Sequence, residues 1–192
     1  MKRLGSWIRT MRFRLFWWIR SLLRDPVYFS RYMRKNTEYD HVIANWQKRE
    51  LLYPELGPRG YFDLERAKAI HKKLLKEFTY VKDEVQFGKK EYWATSKETA
   101  LTLKGDCEDF AILLMRRLWE AGFSVENLCV VIVDGHAFCG LYPEPSDFIV
   151  LDNGYITNIA VAASKLFPVR IGGRKLVPIC GFNAYNKWAY ES

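Results

Sequence analysis

Lys104-Gly105-Asp106-Cys107-Glu108-Asp109-Phe110-Ala111 decides how the rest of this chain is read. An apolar pattern of helical period starts at the cysteine, directly after a glycine and an aspartate. Asp106 suits an N-cap, accepting a backbone N–H of the first turn, which makes Cys107 the first helical residue. A thiol there stands at the positive end of the helix dipole, which favours the thiolate. At about 100° per residue, Cys107, Phe110, Ala111, Leu114, Leu118 and Ala121 share one stripe, whereas Glu108, Asp109, Arg116, Arg117 and Glu120 fall on the other side. The thiol is therefore predicted to point inward, where a base on an adjoining sheet would meet it. A buried structural cysteine would look the same at this position, so the flanking segments have to separate the two readings.

Downstream, Gly122 reads as a left-handed cap closing the helix after Glu120-Ala121, and the period of the apolar residues then changes from helical to alternating. Leu128-Cys129-Val130-Val131-Ile132-Val133 reads as a buried strand, Asp134-Gly135 as a two-residue hairpin turn and 136–142 as the returning strand. Pro143 and Pro145 break that strand, 148–151 forms a third, and Asp152-Asn153-Gly154 is another tight turn. Residues 155–170 read as short strands and loops, and 177–180 as the last strand. Upstream, Asp63 caps a helix over about 64–78 with Leu64, Ala67, Ile70, Leu74 and Phe78 inside. His71, beside Lys72-Lys73, is taken to lie off that stripe and reads as solvated and not functional, and His41 beside Asp40 reads the same way. A further helix lies near 41–52, followed by breakers at 53–60. Residues 79–94 read as an aromatic loop, and Thr95 or Ser96 starts a short helix to Leu103, with Ser96 to Thr99 as a capping signal. Helices first and an antiparallel sheet after them predict an α+β fold.

The formal charge of +8 is unevenly held. Residues 1–35 carry ten Lys/Arg against one acid, Asp25, a net +9, and the remainder is close to neutral. Within that arm, 4–23 reads as an amphipathic helix: Leu4, Trp7, Ile8, Met11, Leu15, Trp18, Ile19 and Leu22 cluster on one side. Its longest apolar run, Leu15 to Ile19, is far short of the ~20 residues that span a bilayer and of the roughly 7–15 in a cleavable signal core. Trp and Arg together suit an anionic membrane surface or a groove on a protein partner. Packing on the chain's own core is the other reading, and Trp17-Trp18 fits nucleic acid less well. Asp25-Pro26 ends the helix, Arg31 to Lys35 extends the basic arm, and the chain divides into an arm, 1–35, and a domain, 36–192. The four cysteines, 107, 129, 139 and 180, show neither zinc spacing nor a disulfide framework.

Cys107 at a helix start, His136 opening a strand and Asp152 ending the next strand have the division of labour of a thiol triad. Imidazole takes the thiol proton, and the carboxylate holds the other ring nitrogen. On neighbouring antiparallel strands His136 and Asp152 can meet across the sheet, and alternation turns Cys139 to the opposite face. Each alone has a plainer reading, His136 as a satisfied polar residue and Asp152 as a turn aspartate; their order is the more specific signal.

Trp93-Ala-Thr95-Ser-Lys-Glu98, Gly105-Asp-Cys-Glu-Asp-Phe-Ala111, Gly-His136-Ala and Val150-Leu-Asp152-Asn153 together resemble the bacterial transglutaminase-like cysteine peptidases, the LapG-like periplasmic adhesin proteases, over about residues 60–190. Gly181-Phe-Asn183 and Asn186-Lys-Trp188 resemble that family's C-terminal strand. The resemblance implies a papain-like, transglutaminase-like core in which the helix-borne cysteine packs on the antiparallel sheet. It implies Cys107 as nucleophile, His136 as base, Asp152 as orienting acid, and backbone N–H groups near Cys107 as part of an oxyanion hole. It also implies calcium (Ca2+) held by acids flanking the cysteine, here Asp106 and Glu108 with Asp109; read without the resemblance, these acids simply suit the first turn of a helix. Two departures stand out: a basic Trp-rich helix replaces the family's cleavable signal, and only Asp134-Gly135 precedes the histidine strand.

The sequence thus points to a thiol hydrolase acting on peptide or amide bonds of a protein or peptide substrate. The same triad serves an amine acyltransferase. A non-enzymatic virion or membrane-associated component that keeps the fold is the reading from a different class.

Overall fold

The structure, a computed structural model, describes residues 37–50, 63–141, 147–153, 161–162, 169–171, 174–176 and 178–189. The amphipathic helix expected over 4–23 lies outside the described residues. Among the described residues five helices come before the main sheet, the first four being α1 (Asp40–Glu50), α2 (Leu64–Glu77), α3 (Asp83–Gln86) and α4 (Ser96–Thr102). Between them, β1 (Thr79–Tyr80) pairs in parallel with β2 (Lys104–Gly105), and α5 (Cys107–Glu120) follows at once. A turn of 3-10 helix, Val125–Asn127, leads to β3 (Leu128–Val133), β4 (His136–Leu141), β5 (Asp147–Leu151) and β6 (Val161–Ala162). The chain continues through β7 (Val169–Ile171), β8 (Arg174–Leu176), β9 (Pro178–Phe182) and β10 (Lys187–Ala189). The main sheet runs β10-β9-β3-β4-β5-β6, and every pairing in it is antiparallel. The α+β expectation is met: helices lead, and the cysteine helix packs on the sheet.

The β3–β4 register follows from the Asp134-Gly135 turn. Val133 pairs with His136 and Ile132 with Ala137, and Gly135 takes the positive φ, +64°, that a tight turn requires. The pairing puts Val130, Ile132, Ala137, Cys139 and Leu141 on one face, where they join Ile149, Leu151, Cys180 and Phe182 in the core. Phe110, Ala111, Leu114 and Leu118 of α5 press on this layer.

α5 is buried on more sides than its predicted stripe. Ile112, Leu113, Met115 and Trp119 are buried as well, and Glu108 and Asp109, expected on the solvent side, are 7% and 0% exposed. The unbroken run Phe110 to Met115 is the cause, because a helix apolar all round needs neighbours all round. α2 and α4 supply them. Asp106 occupies the N-cap position with extended backbone, but its carboxylate makes no capping hydrogen bond.

Ahead of α5, the expected loop over 79–94 contains β1 and α3, and the expected short helix is present as α4. α4 starts on a complete capping box, with Thr95 as N-cap and Glu98 reaching back to it, one residue earlier than the Ser96–Thr99 signal. It ends at Leu103 in the left-handed region (φ +52°), which turns the chain sharply into β2. At the far edge of the sheet, Asn183 explains the Gly181-Phe-Asn183 motif. Its fully buried amide donates to the carbonyls of Val125 and Leu128 (3.1 and 3.3 Å) and accepts from the N–H groups of Tyr185 and Asn186, fixing the β9–β10 turn. α1 closes this edge, with Trp46 edge-on to Phe182 and Gln47 donating to the Asn183 carbonyl at 2.9 Å.

Candidate active site

Cys107 is the first residue of α5, half-buried, and its sulfur lies against the backbone N–H of Ala137, the residue after His136. Docking of α5 on β4 produces this placement and brings the thiol to the start of the histidine strand. The second pairing is direct: His136 Nε2 donates to Asp152 Oδ1 at 2.8 Å. Cys139 pairs with Leu151, so Asp152 follows one step beyond and shares a face with Phe138 and His136. A diagonal cross-strand contact of this kind is within reach of long side chains. Asp152 is 3% exposed, and its Oδ1 also accepts the Asn153 N–H at 2.6 Å. A carboxylate so engaged presents one fixed lone pair to the imidazole. Nδ1 of His136 is left as the ring nitrogen not committed to Asp152.

No hydrogen bond joins Cys107 to His136 among the described residues. The thiol instead donates to Glu108 Oε2 at 3.1 Å. Burial, and next to it the Glu108 carboxylate, push the Cys107 pKa well above the ordinary thiol range. Burial and negative charge here favour the protonated thiol and oppose the helix dipole.

Glu108 does not act alone. Oxygen or sulfur atoms of Asp106, Cys107 and Glu108 all lie within 4.8 Å of one another, and so do carboxylate oxygens of Asp83, Asp106 and Asp109. Burial and mutual repulsion push Asp106 and Asp109 up to about 8 and Asp83 up to about 6, and burial raises Glu108. Asp83 Oδ1, Asp106 Oδ1 and Asp109 Oδ2 are buried with no hydrogen-bond donor. The other oxygens of the two most buried acids are held: Asp109 Oδ1 by the Ala94 N–H at 2.8 Å, and Asp83 Oδ2 by the Tyr92 N–H at 2.5 Å. Three donorless oxygens from acids grouped this closely fit a hard cation that takes oxygen ligands.

The sequence supplied Asp106, Glu108 and Asp109 for such a cluster and missed Asp83. Its position depends on the parallel β1–β2 pairing. Val81 N–H donates to the Gly105 carbonyl at 2.7 Å, and Asp83, two residues later, arrives beside Asp106. No spacing rule links residues 83 and 106. Gly105 has its own role, since a Cβ there would collide with the Asp109 side chain. The anchor of the 92–96 segment comes from α1. Arg49 donates to Tyr92 Oη (2.7 Å), the Trp93 carbonyl (2.5 Å) and Glu98 Oε2 (3.0 Å), while Glu50 accepts from Ser96 N–H at 2.9 Å.

His71 is the second miss. It is 3% exposed, not solvated, and its Nε2 meets the Asp152 backbone carbonyl at 2.7 Å. The spacing Ala67, His71, Leu74, Phe78 already placed it on the apolar stripe of α2; its polar type and the neighbouring lysines masked that. His41 is exposed, as expected.

The family model of the bacterial transglutaminase-like cysteine proteinases matches residues 28–161. The match starts ahead of residue 60, where the motifs began, and so takes in α1, consistent with the fully buried Trp46 and Ile43. No curated protein matches the chain. Among solved structures, Legionella pneumophila LapG treated with EGTA superposes with a TM-score of 0.54 at 20% identity, over 78% of this chain and 86% of LapG. Calcium-bound LapG from the same organism gives 0.53 at 21% identity, over 77% and 87%. These likenesses show a shared transglutaminase-like fold. With its cysteine helix docked on an antiparallel sheet and the family model spanning most of its length, the chain belongs to the bacterial transglutaminase-like cysteine proteinase family.

Proposed function

We propose that this chain hydrolyses peptide or amide bonds of a protein substrate through Cys107, His136 and Asp152. The carrying observation is the His136–Asp152 hydrogen bond, 2.8 Å long and made by a 3%-exposed carboxylate, at the strand end that α5 delivers the thiol to. Asp152 fixes the tautomer with Nε2 protonated, so Nδ1 can accept. Rotation of the Cys107 side chain away from Glu108 passes its proton to Nδ1, and the sulfur attacks the substrate carbonyl carbon. N–H groups of the first turn of α5, which have no partner inside the helix, face the developing oxyanion. The imidazolium returns its proton to the leaving amine as the C–N bond breaks. Water, deprotonated by His136, then cleaves the thioester.

Asp83, Asp106 and Asp109, with Glu108 alongside, would hold a calcium ion. Bound there, the ion supplies positive charge that offsets the carboxylates and lowers the cost of the thiolate. A second reading, a family member that keeps the fold without catalysis, draws on the thiol's bond to Glu108. Mass spectrometry of a peptide library incubated with the protein, in calcium and in EGTA, decides between them. Cleavage with calcium that is lost in Cys107→Ala supports hydrolysis, and an added amine captured in the products marks acyl transfer. No cleavage, together with iodoacetamide labelling of Cys107 that is the same in His136→Ala, would favour the inert fold.

A further inference from the structure

The backbone of Asp152 needs its own support. Asp152 lies beyond the last residue of β5, and among the described residues no ladder N–H donates to its carbonyl, yet the residue is buried. His71 fills that role from a separate element. Its Nε2 lies 2.7 Å from the Asp152 carbonyl, and a carbonyl can only accept, so Nε2 carries the proton. The same ring stands edge-on to Phe110, 6.0 Å between centroids, one turn along α5 from Cys107. One side chain therefore touches both the helix that carries the nucleophile and the residue that carries the acid. Burial lowers the His71 pKa, so it donates without adding charge beside the His136–Asp152 pair.

We propose that His71 is a positioning residue: its hydrogen bond to the Asp152 carbonyl sets the backbone so that the carboxylate meets His136 Nε2. The proposal rests on the triad reading above. A donor on α2 is required, and bulk alone does not suffice. His71→Leu keeps the volume and removes the donor, whereas Gln places an amide N–H close to where Nε2 stood.

The test uses the full chain and two readouts. One is the rate of Cys107 alkylation by iodoacetamide, followed by mass spectrometry of the Cys107 peptide. The other is the low-field proton NMR signal of the His136 ring N–H bonded to a carboxylate. His71→Leu should slow alkylation about 10-fold to 100-fold, the scale of losing a supporting hydrogen bond or of a small misplacement. It should also abolish the low-field signal, and His71→Gln should restore both. A merely structural role would lower Tm in both variants and leave the signal in place below Tm. Retention of signal and rate in His71→Leu, or equal loss in His71→Gln, overturns the proposal. Should His71→Leu not fold, His71→Asn, whose amide is one bond too short, takes its place against His71→Gln with the same outcomes. Asp152→Asn is the control: if it changes neither readout, the triad reading itself falls, separately from the role of His71.

Discussion

Asp83, Asp106 and Asp109 show at single-residue scale how burial and charge oppose each other in this site. Each has a carboxylate oxygen with no donor, and their pKa values are pushed up to about 6, 8 and 8. An unfolded aspartate titrates at ~3.9. Between roughly pH 4 and pH 8 the folded, metal-free chain therefore holds more protons on these groups than the unfolded chain does, and stability falls as pH rises. The contribution is complete below about pH 4 and is lost as pH passes the raised values. In EGTA, Tm should drop on the order of 5 °C or more from about pH 5 to about pH 8. Saturating calcium should flatten or reverse that slope in differential scanning fluorimetry. A Tm in EGTA that rises over the same range would contradict the assignment. The acids at 106, 108 and 109 were legible because they adjoin the cysteine. Their burial was not, since a helical wheel shows which side of α5 a residue occupies but not what covers that side.

At the scale of elements, β1 and β2 are only two residues each, yet their parallel pairing assembles the acid cluster. Gly105 is the tight point of that pairing, buried and with a φ of +157°. Gly105→Ala should displace the Asp109 side chain and destabilise the protein by about 1–3 kcal/mol, the usual cost of overpacking. Terbium luminescence titration should show weaker cation binding in Gly105→Ala than in the wild type; equal affinity would show that Asp109 is not a ligand. The hairpin of β3 and β4 was readable from alternation and Asp-Gly, because both signals are local. The 79–94 segment gave only an aromatic loop, because the pairing that orders it joins residues 79–80 to 104–105 across two helices. The third strand and the close of α5 just ahead of Gly122 were likewise fixed by local turn chemistry.

For the whole molecule, charge is divided between a near-neutral remainder and the strongly basic residues 1–35. No helix among the described residues is long and apolar enough to cross a membrane. We propose that the arm holds the chain on an anionic surface. The full chain should co-sediment with phosphatidylserine vesicles at low salt and wash off at high salt, because exposed charges are screened beyond about 10 Å at 0.1 M ionic strength. A chain lacking 1–35 should stay in the supernatant; no binding by the full chain would point to a protein groove or to self-packing. The sequence by itself determined the α+β order, the cysteine at a helix start, a histidine opening one strand and an aspartate at the end of the next, since each depends on periodicity or turn residues within a few positions. Only the tertiary structure decided that Asp83 joins the acids, that His71 lies under Asp152 and that the Cys107 thiol rests on Glu108. Those contacts depend on which surfaces cover α5, and burial, which shifts the pKa values of the thiol and its neighbouring acids, exists only once the chain has packed.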